Sequence, residues 1–241
     1  MKVVKFVDPK SNYLISRLPA SDFERLAPHF ELISLQQGHV LYEPDVPVHY
    51  FYFPVDTVVS LYVLLGDGYT AESASVGRLS MLPLSLLAGG CSLNRAVVRT
   101  SGFAYRIPSD VLRAEFRRGE GLMQVLLEAM KWMFAKISLS SVCSRHHSID
   151  QQVAQWLLLS IDSTQTNAIK VTHEQIARML GFRREGVTHT LGKFLSKLVI
   201  SSVRGQIEVV NRPALEKIVC QCYWDQLKQE KYSRATDLLN A

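Results

Sequence analysis

Long apolar runs are missing from this chain of 241 residues. No stretch of about 18 or more apolar residues occurs, so no membrane-spanning helix and no membrane partner are expected. The start, MKVVKFVDPKSNYL, breaks at Asp8-Pro9-Lys10 before an apolar core or cleavage site develops. No signal peptide is therefore expected, and the chain is expected in the cytoplasm. Low-complexity tracts and long charge blocks are also absent, which excludes a disordered or fibrous polymer. Catalytic signatures are lacking too: there is no Gly-x-Ser-x-Gly, Walker loop or His-Glu-x-x-His. His39 and His49 with Glu43 between them are too sparse for a cupin-like metal site, so an enzyme is not expected. Cysteine is scarce. Cys91, Cys143, Cys220 and Cys222 form no Cys-x-x-Cys and fit no zinc-finger spacing. Cys220-x-Cys222 could in principle offer two thiolates to a metal. The reading taken is the plainer one, small half-buried residues in a reduced compartment and no metal site.

What is present is basic charge in one place. The window from Thr164 to Arg212 holds eight basic and three acidic residues, a surplus equal to the chain's entire net charge of +5. A localised basic surface suits a polyanion. The length allows two modest domains, each with its own core.

The hydrophobic period changes along the chain. Residues 13–30 carry Leu14, Leu18, Phe23, Leu26 and Phe30 at helical spacing, with Ser21 and Glu24 as a capping box. From about 31 to 107, short β-branched and aromatic runs are cut by Gly38, Pro44-Asp45, Pro54 and Gly66-Asp67-Gly68. This pattern predicts an antiparallel roll or barrel, with the Gly-Asp-Gly as a hairpin turn. Pro108-Ser109-Asp110 opens a helix, and Arg117-Arg118-Gly119 interrupts it. The next stretch, GLMQVLLEAMKWMFAKISLSSV, is apolar on more than one face and so needs more than one partner. One partner could be the β-roll and the other a symmetry mate in a two-helix seam; burial within a monomer is the alternative. After a break at His146-His147, Ser148 and Gln151 cap a further helix running to about Ser163. A polar loop, Asp162–Asn167, follows.

Residues 171–198 read VTHEQIARMLGFRREGVTHTLGKFLSKL. Thr172 with Gln175 caps a short helix whose buried side is Ile176, Ala177 and Leu180. Gly181 permits the left-handed turn that follows. A second helix presents Val187, Leu191, Phe194, Leu195 and Leu198 on its apolar face. These are the parts of a helix-turn-helix. Opposite that face lie Arg184, Glu185, Thr188, His189 and Gly192, with the charged members in the first turns, where a recognition helix reaches base edges. Arginine can donate two hydrogen bonds to guanine, and a carboxylate can accept from cytosine N4. Glu185 would repel phosphates, so it marks either base reading or an ordinary Arg–Glu surface pair. Arg184, Glu185, Thr188 and His189 are the candidate base readers. Thr172, Arg183, Lys193 and Arg204 are the candidate backbone contacts. Arg204-Gly205 forms the tip of a hairpin, ISSVRGQIEVVN, that reads as a basic wing.

Assembled in this order, the chain resembles the Crp/Fnr family of bacterial transcription regulators. The resemblance rests on QQGHVLYEPDVP near the start of the roll, on the long helix, and on the helix-turn-helix followed by its Arg-Gly wing; LEKIVCQCYW is similar to a tail in one branch. It implies an α+β chain: an N-terminal cyclic-nucleotide-binding-like β-roll over residues 1–120, a dimerisation helix over 121–146, and a winged helix-turn-helix over 147–241. It also implies a homodimer on double-stranded DNA, with RNA polymerase as a further partner. The family's Arg-Glu reading pair falls on Arg184 and Glu185; a third reading position, often arginine, falls on His189. In the sensor half, Arg95-Ala96 stands for the phosphate-holding pair of cyclic-nucleotide binders, and Arg78 lies near the missing glutamate half, so the possible effector pocket is Arg78, Arg95 and Ala96. Without that carboxylate a ribose would lose its acceptor, and cyclic AMP is not expected. No iron–sulfur cluster is expected either, because the first cysteine is Cys91. Haem is left open by seven histidines. The alternative to a regulator is a β-roll sensor or interaction protein whose basic domain reads no sequence.

Overall fold

A computed structural model describes residues 7–64, 66, 70–87, 89–164, 166–203 and 205–235. Two compact units make up the chain: Met1–Asp67 with Ser73–Lys131, and Gly68–Glu72 with Trp132–Ala241. No described helix is long and apolar enough to cross a membrane.

The first unit opens with the short helices α1 (Tyr13–Ser16) and α2 (Ala20–Leu26). The expected helix over 13–30 is therefore broken, and the Ser21–Glu24 capping box does not form. Pro19 takes the N-cap position of α2, so the first turn begins one residue before Ser21; the Ser21 hydroxyl donates instead to Asp22. Then come β1 (Glu31–Leu35), β2 (Val40–Tyr42), β3 (Tyr50–Pro54), β4 (Val58–Leu64), β5 (Thr70–Val76), β6 (Asn94–Thr100) and β7 (Gly102–Pro108). They form two antiparallel sheets, in the orders β1-β7-β3 and β2-β6-β4-β5. Alternation drives the inward residues together: Phe51, Phe53, Val59, Ala96, Val98, Ala104 and Ile107 are at most 2% exposed. The expected Gly-Asp-Gly hairpin lies outside the described residues.

Helix α3 (Ser109–Arg117) follows β7 directly, and Gly119, with φ 75°, makes the break before α4 (Gly121–His146). The start of α4 is tightly held. Asp22, buried, accepts hydrogen bonds from the Leu122 backbone N–H at 2.6 Å and from Arg25 at 2.6 Å. Arg25 also reaches Glu115 and Glu120. Gly121 has to be glycine-sized here, since an added Cβ would lie 2.2 Å from Pro19 Cγ. The division between the two units falls inside α4.

The second unit contains α5 (Ile149–Thr164), β8 (Ala168–Lys170), α6 (His173–Leu180), α7 (Arg184–Ser196), β9 (Ile200–Val203), β10 (Gln206–Val209), α8 (Arg212–Glu216) and α9 (Gln221–Ala235). Ser148 and Gln151 cap α5 reciprocally, as the sequence predicts. The wing is a three-stranded sheet, β8-β10-β9, rather than a simple hairpin. Val153, Leu157, Leu158, Ile176, Val187, Leu191, Phe194, Ile207 and Leu215 close its core.

Candidate nucleic-acid interface

The helix-turn-helix is built by local chemistry. Thr172 Oγ1 accepts from the Gln175 N–H at 3.2 Å, and Gln175 Oε1 accepts from the Thr172 N–H at 2.8 Å, a complete capping box. At the other end of α6, Gly181 adopts φ 72°, a conformation costly for any residue with a Cβ. Phe182 N–H then donates to the Ala177 carbonyl, closing the turn before Arg183 starts α7.

Three residues anchor α7. Val187, Leu191 and Phe194 are at most 2% exposed, each contributing about 1.5–3 kcal/mol of burial. Gly186 of α7 faces α5: an added Cβ would sit 3.0 Å from Ile149 Cδ1, the tip of a side chain that would have to shift slightly. Three expected members of apolar faces are not buried: Leu198 has φ 54° and is 76% exposed, because the helix has ended at Ser196, and Leu180 and Leu195 are only half-buried. Met179 takes the buried position in α6 that the sequence assigned to Leu180.

This anchoring turns the opposite face outward. Arg184, Glu185, Thr188, His189 and Gly192 are all exposed. Arg184 and Glu185 make no side-chain hydrogen bond or ion pair among the described residues, so the ordinary Arg–Glu surface pair does not form. Thr188 Oγ1 lies 3.1 Å from His173 Nδ1 of α6, which fixes it against the first helix. Nothing fills the space where a Gly192 Cβ would stand.

The candidate backbone contacts divide. Thr172 and Arg183 are exposed at the N-termini of α6 and α7. Lys193 is not free: its Nζ lies 2.8 Å from Asp150 Oδ2 of α5. Asp150 also accepts from Thr190 Oγ1 at 2.7 Å. Burial works to raise the Asp150 carboxyl, but the hydrogen bonds from Lys193 and Thr190 outweigh it and hold the group below the usual carboxylate range. This partner sits 43 residues upstream and leaves no local mark around Lys193. Arg204 lies outside the described residues, although its neighbour Gly205 has the positive φ, 77°, of a tight tip.

The possible effector pocket is less coherent. Ala96 is fully buried in β6, packed into the roll's core. Arg95 Nη2 pairs with Glu43 Oε1 at 3.1 Å, just past β2, a neighbourhood set by the Tyr42–Ala96 register. Arg78 is exposed, with its carbonyl accepting from the Tyr13 N–H. Among the described residues no hydrogen bond or ion pair joins Arg78 to Arg95.

Residues 151–218 match the model of the Crp-like helix-turn-helix domain. No curated protein matches the chain. Among solved structures, a transcriptional regulator assigned to the Crp/Fnr family from Eubacterium rectale is similar, with a TM-score of 0.71 at 19% identity, over 87% of this chain and 98% of that one. FixK2 from Bradyrhizobium japonicum gives 0.67 at 18% identity, over 79% of this chain and 98% of that one. A CRP-family transcriptional regulator from Thermus thermophilus gives 0.67 at 15% identity, over 77% and 95% respectively. At such identities the likeness is one of fold.

Proposed function

We propose that this chain, of the Crp/Fnr type in its fold and in its helix-turn-helix domain, is a sequence-specific DNA-binding regulator that acts as a homodimer on a two-fold symmetric site. The observation that carries the reading is the pair Arg184 and Glu185: both are exposed in the first turn of α7, opposite its buried anchor, and neither has a side-chain partner among the described residues. A helix N-terminus so charged can enter a major groove and offer one fork of donors and one acceptor to base edges. Thr188 and His189 extend that face one turn further. Thr172 and Arg183, exposed at the N-termini of α6 and α7, are read as phosphate contacts, and Lys193, which pairs with Asp150, is read with them.

Dimerisation is supported by α4. Leu127, Phe134, Ile137 and Val142 are 44–76% exposed, and Leu127, Met130, Phe134 and Ile137 follow the 3-4-3 spacing of a coiled-coil seam. In this reading residues 1–120 are an effector-type domain, 121–146 the dimerisation helix and 147–241 the DNA-binding domain. Cyclic AMP is not the expected effector: the glutamate that would hold a ribose is missing, and Arg95, the candidate phosphate holder, pairs with Glu43. The regulator works without cyclic AMP.

The test compares DNA affinities of the wild type and Arg184→Ala on a selected site and on random sequence. Arg184→Ala should lose about 1–3 kcal/mol of preference for the selected site, with random-sequence affinity nearly unchanged. Equal loss on both DNAs would remove Arg184 from base reading.

A further inference from the structure

Three of the four cysteines and one histidine converge at a place the DNA-reading surface does not use. Cys143 stands in the last turn of α4. His147 lies four residues on, and its N–H donates to the Cys143 carbonyl at 3.0 Å, so the helical turn continues and both side chains share one face. Cys220 precedes α9 and Cys222 lies in its first turn. The four donor atoms, three Sγ and an imidazole nitrogen, all lie within 4.8 Å of one another. Cys143 Sγ is 3.6 Å from Cys220 Sγ, and Cys222 Sγ is 3.7 Å from His147 Nδ1.

Those separations are informative. Four ligands at metal–sulfur and metal–nitrogen distances of about 2.3 and 2.0 Å span a tetrahedron whose edges are about 3.5–3.8 Å. The observed S···S of 3.6 Å and S···N of 3.7 Å lie within about 0.2 Å of two of those edges, and the remaining separations, at most 4.8 Å, need only a small contraction. A disulfide would need about 2.05 Å between sulfurs, and none of the cysteines is so joined. An iron–sulfur cluster would spread its cysteines over several irons, wider than this group. We infer that Cys143, His147, Cys220 and Cys222 form a structural zinc site.

The surroundings suit that chemistry. The three cysteines are 4–7% exposed, whereas His147 is half-buried. Gln155 of α5 has its Oε1 3.3 Å from both Cys143 Sγ and Cys220 Sγ. Turned over, the same amide would donate an N–H to a metal-bound thiolate, the outer support such ligands need. The tail is positioned from its other side by Tyr223, fully buried, whose hydroxyl donates to Asp162 at 2.8 Å and accepts from Arg212. With four protein ligands no open position remains, so the ion holds structure and performs no catalysis. It would clamp the start of α9 to the last turn of α4, closing a loop in which Cys143 and Cys220 are 77 residues apart.

The experiment uses the full chain, purified under reducing conditions without chelators or metal-affinity resin. Elemental analysis should find about one zinc per chain. Cobalt(II) in place of zinc should give the intense visible bands and thiolate-to-metal charge transfer of tetrahedral sulfur coordination. Cys143→Ser and Cys220→Ser should abolish both, whereas Cys91→Ser, an exposed cysteine outside the cluster, should keep them. Gln155→Ala should bind about 10–100-fold more weakly in competition with a chelator. Because a serine variant that fails to fold would also lose metal, the wild-type cobalt spectrum and chelator competition decide the matter. A reduced wild-type protein that retains neither zinc nor cobalt after gel filtration overturns the site. So does a native protein whose intact mass shows a Cys143–Cys220 disulfide.

Discussion

Phe134→Glu is expected to yield a monomer in solution and to lower affinity for the specific DNA site by about 100-fold or more. Phe134 is 76% exposed on α4, with Leu127 and Ile137 at 45% and 44% on the same stripe. Burying such a side chain against its symmetry copy is worth about 1.5–3 kcal/mol per protomer. The substitution removes that term twice and sets two carboxylates against each other across the two-fold axis. Each half-site would then be held by one recognition helix alone, without the effective concentration the second provides. Light scattering and fluorescence anisotropy measure the two effects separately. A variant that stays dimeric, with unaltered DNA affinity, would show that α4 is not the seam.

Asp22→Ala is expected to destabilise the first unit by about 2–4 kcal/mol. The carboxylate is 1% exposed and accepts three hydrogen bonds, from Ser21 Oγ, Arg25 and the Leu122 N–H. Its removal strands a backbone donor at the N-terminus of α4, where a negative group also complements the helix dipole. Arg25 keeps Glu115 and Glu120, so no orphaned cation adds to the cost. Asp22→Asn can still accept from Leu122 through its carbonyl and should lose distinctly less. Urea unfolding of both variants tests the ordering, and equal losses would place the stabilisation in the charge alone.

Legibility in the sequence followed the range of the interaction. The Thr172–Gln175 and Ser148–Gln151 caps and the Gly181 turn are set within a few residues, and each could be read directly. The Ser21–Glu24 box failed for an equally local reason: Pro19 had already taken the cap. Leu198 looked like part of an apolar face because periodicity does not mark where a helix stops. Strand β8 is only three residues long, too short for a period to register. Partnerships across the chain left no local trace. The Arg95–Glu43 pair follows from the register of β2 and β6, and Lys193–Asp150 from the packing of α7 on α5. The same holds for the cysteines. Taken singly along the chain they fit no metal pattern, because the ligand pairs lie on α4 and α9 and meet only after folding.

Sequence-specific binding is tested most directly by selection from a random DNA pool with the wild-type protein. The expected result is an enriched, two-fold symmetric sequence whose half-sites are centred about one helical turn, roughly 34 Å, apart. Arg184→Ala should select a more degenerate half-site. Recovery of DNA without sequence enrichment, or of a single asymmetric site read equally well by Arg184→Ala, would contradict this reading.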